Sequence, residues 1–134
     1  MITGTQTIIL NEKNQILVAK RSCIKKLAAN KWNLIGGKVE EFDKSIYVSA
    51  IREIKEEVNL NIRESDLELV QHKIANWEDI KFNCYTFLTR VKNPKVKLNP
   101  EHSDCEFINI EDLDNYDFVG FTKEELKQLI NGLI

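Results

Sequence analysis

Hydrophobic positions change their period several times along the chain, and each change marks an element. Thr3-Gly4-Thr5-Gln6-Thr7-Ile8-Ile9-Leu10 and Gln15-Ile16-Leu17-Val18-Ala19-Lys20 are β-prone runs on either side of the turn cluster Asn11-Glu12-Lys13-Asn14. The pair predicts a hairpin. Arg21 to Lys31 is polar and basic, which predicts a loop. Trp32-Asn33-Leu34-Ile35 predicts a short strand running into a Gly36-Gly37 turn. From Ser45 the period becomes helical: at ~100° per residue, Tyr47, Ala50, Ile51, Ile54 and Val58 fall on one side. Ser45 is the expected N-cap, since its hydroxyl can accept from an early helical N–H. Leu67 to Ala75 and Ile80 to Val91 read as strands joined by a hairpin turn at Asn76-Trp77-Glu78-Asp79. Lys92 to Asp104 carries two Asn-Pro pairs and Glu101, and reads as a loop. Cys105 to Ile110 is the last predicted strand. Thr122 to Ile130 is a predicted helix capped by Thr122, with Glu125 in the capping-box position. Strands interleaved with two helices imply a mixed α/β domain.

The polar side of the Ser45 helix carries the most specific chemistry. With Glu53 taken as zero, Glu56 lies at about −60° and Glu57 at about +40° on helical spacing. The three acids share an arc of about 100°, largely opposite the apolar stripe. One face packs while the other is left to gather oxygens. Oxygen-rich clusters bind hard divalent cations, and Mg²⁺ keeps waters and phosphate oxygens among its ligands.

Composition narrows the picture. The 134 residues suit a single domain over 1–134 with its own core, and 43% hydrophobic with 30% charged content suits a soluble globular protein. A net charge of −2 argues against non-specific binding to nucleic acid or anionic membrane. Met1 to Leu10 has neither a basic start nor a long apolar run, so no signal peptide is expected, and no stretch reaches membrane-spanning length. Cys23, Cys84 and Cys105 are odd in number and far apart, unlike a zinc site or a disulfide framework. Three reduced thiols in a cytoplasmic protein is the plain reading. No feature marks a dimer surface, which leaves monomer and homodimer open.

Gly37, Arg52, Glu53, Ile54, Glu56, Glu57 and Leu60 together resemble the Nudix box, G-x5-E-x7-R-E-U-x-E-E-x-G-U with U aliphatic. The box spans about a fifth of the chain. The segment from Ala29 to Glu40 resembles the MutT-like branch in particular. Three letters depart from the pattern. Arg52 stands one residue later than usual from Gly37, so the loop Glu40 to Lys44 carries an insertion. The mid-box Glu is replaced by Asp43 or Lys44, which predicts a less firmly anchored loop. The late Gly is Asn59, a residue that also tolerates the left-handed conformation of a helix C-cap.

The resemblance implies a Nudix-type α/β/α sandwich with a mixed β-sheet. It also implies a Mg²⁺-dependent pyrophosphohydrolase (Mn²⁺ being the alternative ion) that cleaves a nucleoside triphosphate to the monophosphate and pyrophosphate. Oxidised dNTPs are among the candidates, although the branch's base-reading Asn falls at Thr122 or a neighbour. Two other readings remain: hydrolysis of another nucleoside diphosphate-X, such as a nucleotide sugar or dinucleoside polyphosphate, and a catalytically silent nucleotide-binding module. The inserted loop residue and the missing mid-box acid motivate the last.

On the same resemblance, Glu56 and Glu57 are the expected direct metal ligands, with the carbonyl of Gly36 as companion because bare backbone permits close approach. Glu53 serves as a ligand or as general base; neighbouring cations would lower its pKa and favour ligation or water positioning. Arg52 is expected to orient a glutamate through a forked, charge-assisted bond. Glu101, five residues before Glu106, corresponds to a metal-binding or base glutamate of MutT-like proteins. Arg21 is placed to reach a substrate phosphate, Trp77 to stack on a base, and Gly37 to let a substrate approach the backbone. Trp32 reads first as core, His72 as structural, and His102 as a surface loop residue.

Overall fold

The computed structural model describes residues 1–21, 30–77, 79–92, 94–98, 102–118 and 123–133; the side chains of Arg21, Ala75, Trp77, His102, Ser103 and Lys123 lie outside that description. Seven strands among these residues form one mixed sheet: β1 (Ile2–Leu10), β2 (Ile16–Arg21), β3 (Trp32–Asn33), β4 (Ile35–Lys38), β5 (Glu68–Trp77), β6 (Ile80–Arg90) and β7 (His102–Ile108). The main path runs β3-β2-β1-β6-β5, with β4 paired to β1 and β7 to β2. β1 and β6 are parallel, in register from Ile2↔Phe82 to Leu10↔Arg90. The remaining strand pairs are antiparallel.

Side-chain alternation divides the core into two layers. On one face Ile9, Leu17, Ala19, Ile35 and Phe87 pack against Ala50, Ile54 and Val58 of α1 (Ile46–Val58). On the other, Ile8, Leu10, Ile16, Val18 and Leu88 pack against Leu126 and Ile130 of α2 (Lys123–Asn131). Adjacent β1 residues therefore serve opposite helices. The result is the expected α/β/α sandwich.

The ends of α1 follow from its sequence. Ser45 is extended, and its hydroxyl accepts from the Val48 N–H at 3.1 Å. Asn59 closes the helix at φ 59°, its N–H donating to the Lys55 carbonyl. Lys97 N–H satisfies the Val58 carbonyl at 3.0 Å. Tyr47 reaches across to Phe87, with ring centroids 4.8 Å apart.

Several elements differ from expectation. Gly36 and Gly37 form no turn; both lie in β4, paired with Gln6 and Thr5 of β1. A Cβ on Gly36 would sit 2.0 Å from the Thr5 carbonyl oxygen, so the strands meet at this spacing only without a side chain there. Trp32 to Ile35 is split, with Leu34 between two short strands. The Asn76–Asp79 turn is tighter than predicted: the ladder continues through Asn76↔Lys81 and Trp77↔Ile80, and Asp79 turns at φ 64°. The last strand starts earlier and ends at Ile108, because Ile110–Asn115 winds into a 3₁₀ turn that buries Ile110 and Leu113. Glu106 consequently lies inside β7 rather than opening it. Thr122, the expected cap of α2, lies outside the described residues, as does Cys23.

Packing of α1 makes a stability prediction. Ile54 is fully buried, so Ile54→Ala should lower unfolding free energy by about 2–5 kcal/mol. Val48→Ala, at a position 36% exposed, should stay within about 0.5 kcal/mol of the parent. Urea unfolding with unchanged m-values reads both; a loss below about 1 kcal/mol at Ile54 contradicts the packing described.

Candidate active site

Helix α1 packs on β4 with Glu53 over Gly37. The contact is close: a Cβ on Gly37 would fall 2.7 Å from the Glu53 carboxyl carbon and 2.7–2.8 Å from its oxygens. The glycine thus makes the seat for the Glu53 carboxylate. The bare backbone expected to admit a substrate admits this side chain first.

The three helical acids share a side of α1 but not an environment. Glu57 is buried, 3% exposed. The Glu53 side chain is 13% exposed and that of Glu56 is 55% exposed. The arc therefore runs from the core boundary to open solvent. Among the described residues no three Asp, Glu, His or Cys side chains converge into a ready-made metal cage.

Arg52 accounts for much of this arrangement. Its Nη1 donates to Glu53 Oε1 at 3.0 Å and to Glu56 Oε2 at 3.2 Å. Nε and Nη2 grip Asp43 Oδ1 and Oδ2 at 2.9 and 2.8 Å, and Nη2 also donates to the Lys38 carbonyl at 3.1 Å. One planar guanidinium thereby ties α1, the loop before it and the end of β4 together. Like charges on Glu53 and Glu56 are held beside a fixed cation, which offsets their mutual repulsion.

Asp43 is the loop's anchor. Its side chain is 1% exposed, and besides Arg52 it accepts the Glu40 N–H at 2.8 Å. The Asp43 N–H returns to the Glu40 carbonyl at 3.0 Å, closing a tight turn. The Arg52 guanidinium, more than any other neighbour, holds the Asp43 carboxyl down to about 2, against an ordinary 3.8. Arg52 is pushed upward in turn, chiefly by its bond to Asp43. The weak loop anchoring expected from the missing mid-box Glu is thus corrected: Asp43 keeps that letter's spacing from Gly37 and forms the bond itself. The inserted residue falls after it.

The other candidate residues are less gathered. Arg21 ends β2, and Trp77 ends β5 rather than sitting in a turn. Glu101 lies outside the described residues, and His102 opens β7. Glu106 accepts the Tyr116 hydroxyl at 2.8 Å. Burial first, then that carboxylate, pushes the Tyr116 phenol up to about 12. Trp32 is half-buried against Tyr116, edge to face at 4.9 Å. His72 stacks on Tyr85 at 4.1 Å, with Nε2 2.5 Å from Asn83 Oδ1.

The NUDIX domain profile matches residues 3–129. The chain belongs to the NUDIX domain family. Its fold is shared with the MutT protein from Methanosarcina mazei Go1 (24% identity, TM-score 0.85, covering 98% of this chain and 94% of that one). A C. elegans Ap4A hydrolase in a binary complex has 19% identity and a TM-score of 0.76, with 99% and 95% coverage. The NUDIX domain of Shewanella oneidensis NrtR, complexed with ADP ribose, has 14% identity and a TM-score of 0.83, with 99% and 88% coverage. At these identities the likeness establishes fold alone. No curated protein sequence matches the chain.

NUDIX proteins generally use divalent cations, and this donor set suits one. Glu53, Glu56 and Glu57 offer only hard carboxylate oxygens on one side of α1, and Gly37 supplies the clearance that lets Glu53 lie over β4.

The Asp43–Arg52 pair yields an acid-stability prediction. Because the folded pKa of Asp43 lies below its ordinary value, its contribution is complete above about pH 4 and is lost as pH falls toward about 2. Asp43→Asn should flatten that part of the stability–pH curve and lower stability at pH 7 by about 1–3 kcal/mol. Denaturant melts from pH 2 to 7 measure this; an unchanged acid limb would refute the anchoring role.

Proposed function

We propose that this NUDIX protein is a pyrophosphohydrolase that cleaves a nucleoside triphosphate to the monophosphate and pyrophosphate. The observation that carries this reading is the acid set Glu53, Glu56 and Glu57 on one side of α1, with Glu53 seated on Gly37 and Arg52 bonded to both Glu53 and Glu56. In the reaction a water oxygen bonds to phosphorus, the anhydride P–O bond breaks, and pyrophosphate leaves. The water's proton passes to solvent, or first to a carboxylate.

In this reading Glu56 and Glu57, with the Gly36 carbonyl and Glu53, hold Mg²⁺ or Mn²⁺. A bound divalent ion supplies charge neutralisation on the polyphosphate and a lowered pKa for water. The chain's own residues set the geometry. Glu53 is held by Arg52 and by its seat on Gly37, so its carboxylate can orient water without first losing side-chain freedom. Arg52 fixes Glu53 and Glu56 relative to the loop. Arg21, Trp77 and Gly37 are assigned to substrate binding, and Glu101 to metal or base chemistry.

The binding-only alternative was motivated by the missing mid-box acid, and the Asp43 bond to Arg52 removes much of that motivation. A different X group, as in a nucleotide sugar or dinucleoside polyphosphate, keeps the same chemistry. The described cysteines Cys84 and Cys105 are not disulfide-bonded, which supports a cytoplasmic setting. No helix among the described residues is long and apolar enough to cross a membrane.

A screen of canonical and oxidised nucleoside triphosphates, nucleotide sugars and dinucleoside polyphosphates with Mg²⁺ tests the proposal, following monophosphate and pyrophosphate. Nucleoside triphosphates should be turned over. Glu53→Gln should reduce kcat by about 10²–10⁴-fold. Glu57→Gln should abolish measurable turnover with the circular dichroism spectrum retained. Absence of turnover by the parent protein across the whole screen would sink the enzymatic reading.

A further inference from the structure

The loop that carries the insertion also displays an aromatic ring that nothing in the core requires. Phe42 is 71% exposed, although a ring of its size normally gains by burial. It is not on a slack segment. The turn from Glu40 to Asp43 is closed by two hydrogen bonds, and Asp43 is locked to Arg52 by two more. Phe42 is therefore presented by a clamped loop.

One face of the ring is used. The Arg52 guanidinium carbon lies 5.1 Å from its centroid, within cation–π distance. The same guanidinium bonds Glu53 and Glu56, so a single planar group separates the ring from both carboxylates. With one face covered by Arg52 and the ring mostly exposed, surface remains for a second flat group. Stacking on an aromatic is tolerant of base identity, because every base has a π-face.

We infer that Phe42 is a stacking platform for the base of the nucleotide whose phosphates engage the Glu53–Glu56 side of α1. The assignment rests on the functional reading above and adds a specificity-determining contact to it. The ring rewards a ligand that joins an aromatic base to a polyphosphate, and it offers nothing to a polyphosphate alone. Its pre-organisation limits the entropy lost on binding.

Equilibrium binding separates this inference from the catalytic proposal. Isothermal titration calorimetry with Mg²⁺ would use two probes: a non-hydrolysable α,β-methylene purine nucleoside triphosphate, and inorganic tripolyphosphate. Phe42→Ala should weaken nucleotide binding by roughly 5- to 100-fold and leave tripolyphosphate binding unchanged. Phe42→Trp, which keeps a π-face, should restore the nucleotide affinity. That pattern supports the platform even if the parent protein turns over no substrate, so loss of the catalytic proposal would be seen separately. Unchanged nucleotide affinity in Phe42→Ala overturns it. So does equal weakening of both probes, which would mean Phe42 acts only by steadying Arg52. Failure of the parent protein to bind the nucleotide overturns it as well.

Discussion

The site depends on how closely α1 can approach β4. Two glycines in succession allow it, for different reasons. At Gly36 the neighbour is backbone: the Thr5 carbonyl occupies the space a methyl would need. At Gly37 the neighbour is a side chain: the Glu53 carboxylate lies where a methyl would be. One glycine brings the strands together, and the next brings the acid down onto them. Burial of Ala50, Ile54 and Val58 of α1 against Ile35 of β4 and its sheet neighbours supplies the hydrophobic force that holds this approach.

An approach of that kind concentrates negative charge, and the fold contains its own counterweight. Arg52 sits between Asp43, Glu53 and Glu56 with its donors shared among them. It is 20% exposed, so these bonds are less screened than on an open surface. The partition is uneven. Asp43 receives the bidentate fork and is almost wholly buried, whereas Glu53 and Glu56 share one nitrogen. A bidentate pair is geometrically specific, and a shared single donor is more readily exchanged for another cation. The structural acid and the acids assigned to metal binding differ in how tightly the same arginine holds them.

Much of this was legible before any coordinates. The 3.6-residue period, the Ser45 cap and the αL tolerance of Asn59 place α1 to within a residue, because all three are local properties of the chain. The family resemblance of Glu53, Glu56 and Glu57 rests on the same kind of local pattern. What local pattern could not supply was tertiary. A Gly-Gly pair reads as a turn when the strand that needs its bareness is β1, some thirty residues earlier. Helical spacing put Glu53, Glu56 and Glu57 on one arc, but not the gradient from buried Glu57 to exposed Glu56, which depends on where β4 lies. β5 runs past its predicted end because pairing with β6 continues to Trp77↔Ile80.

The loop between β4 and α1 shows how a departure from a motif can be absorbed. Relative to the pattern, the anchoring acid is one methylene shorter, and one extra residue separates it from its arginine. Either change alone alters the reach between carboxylate and guanidinium. Here the shorter side chain and the longer connection coexist with a bidentate bond to Arg52 at 2.8–2.9 Å. The turn from Glu40 to Asp43 closes on itself through both backbone and carboxylate, and the extra residue follows Asp43. It also fixes Phe42, which has no place in the core and is left facing outward beside Arg52. The turn that carries the anchor thus also presents an exposed aromatic beside Arg52. A feature that looks like decay in the motif, when read letter by letter, is in space an intact bidentate anchor.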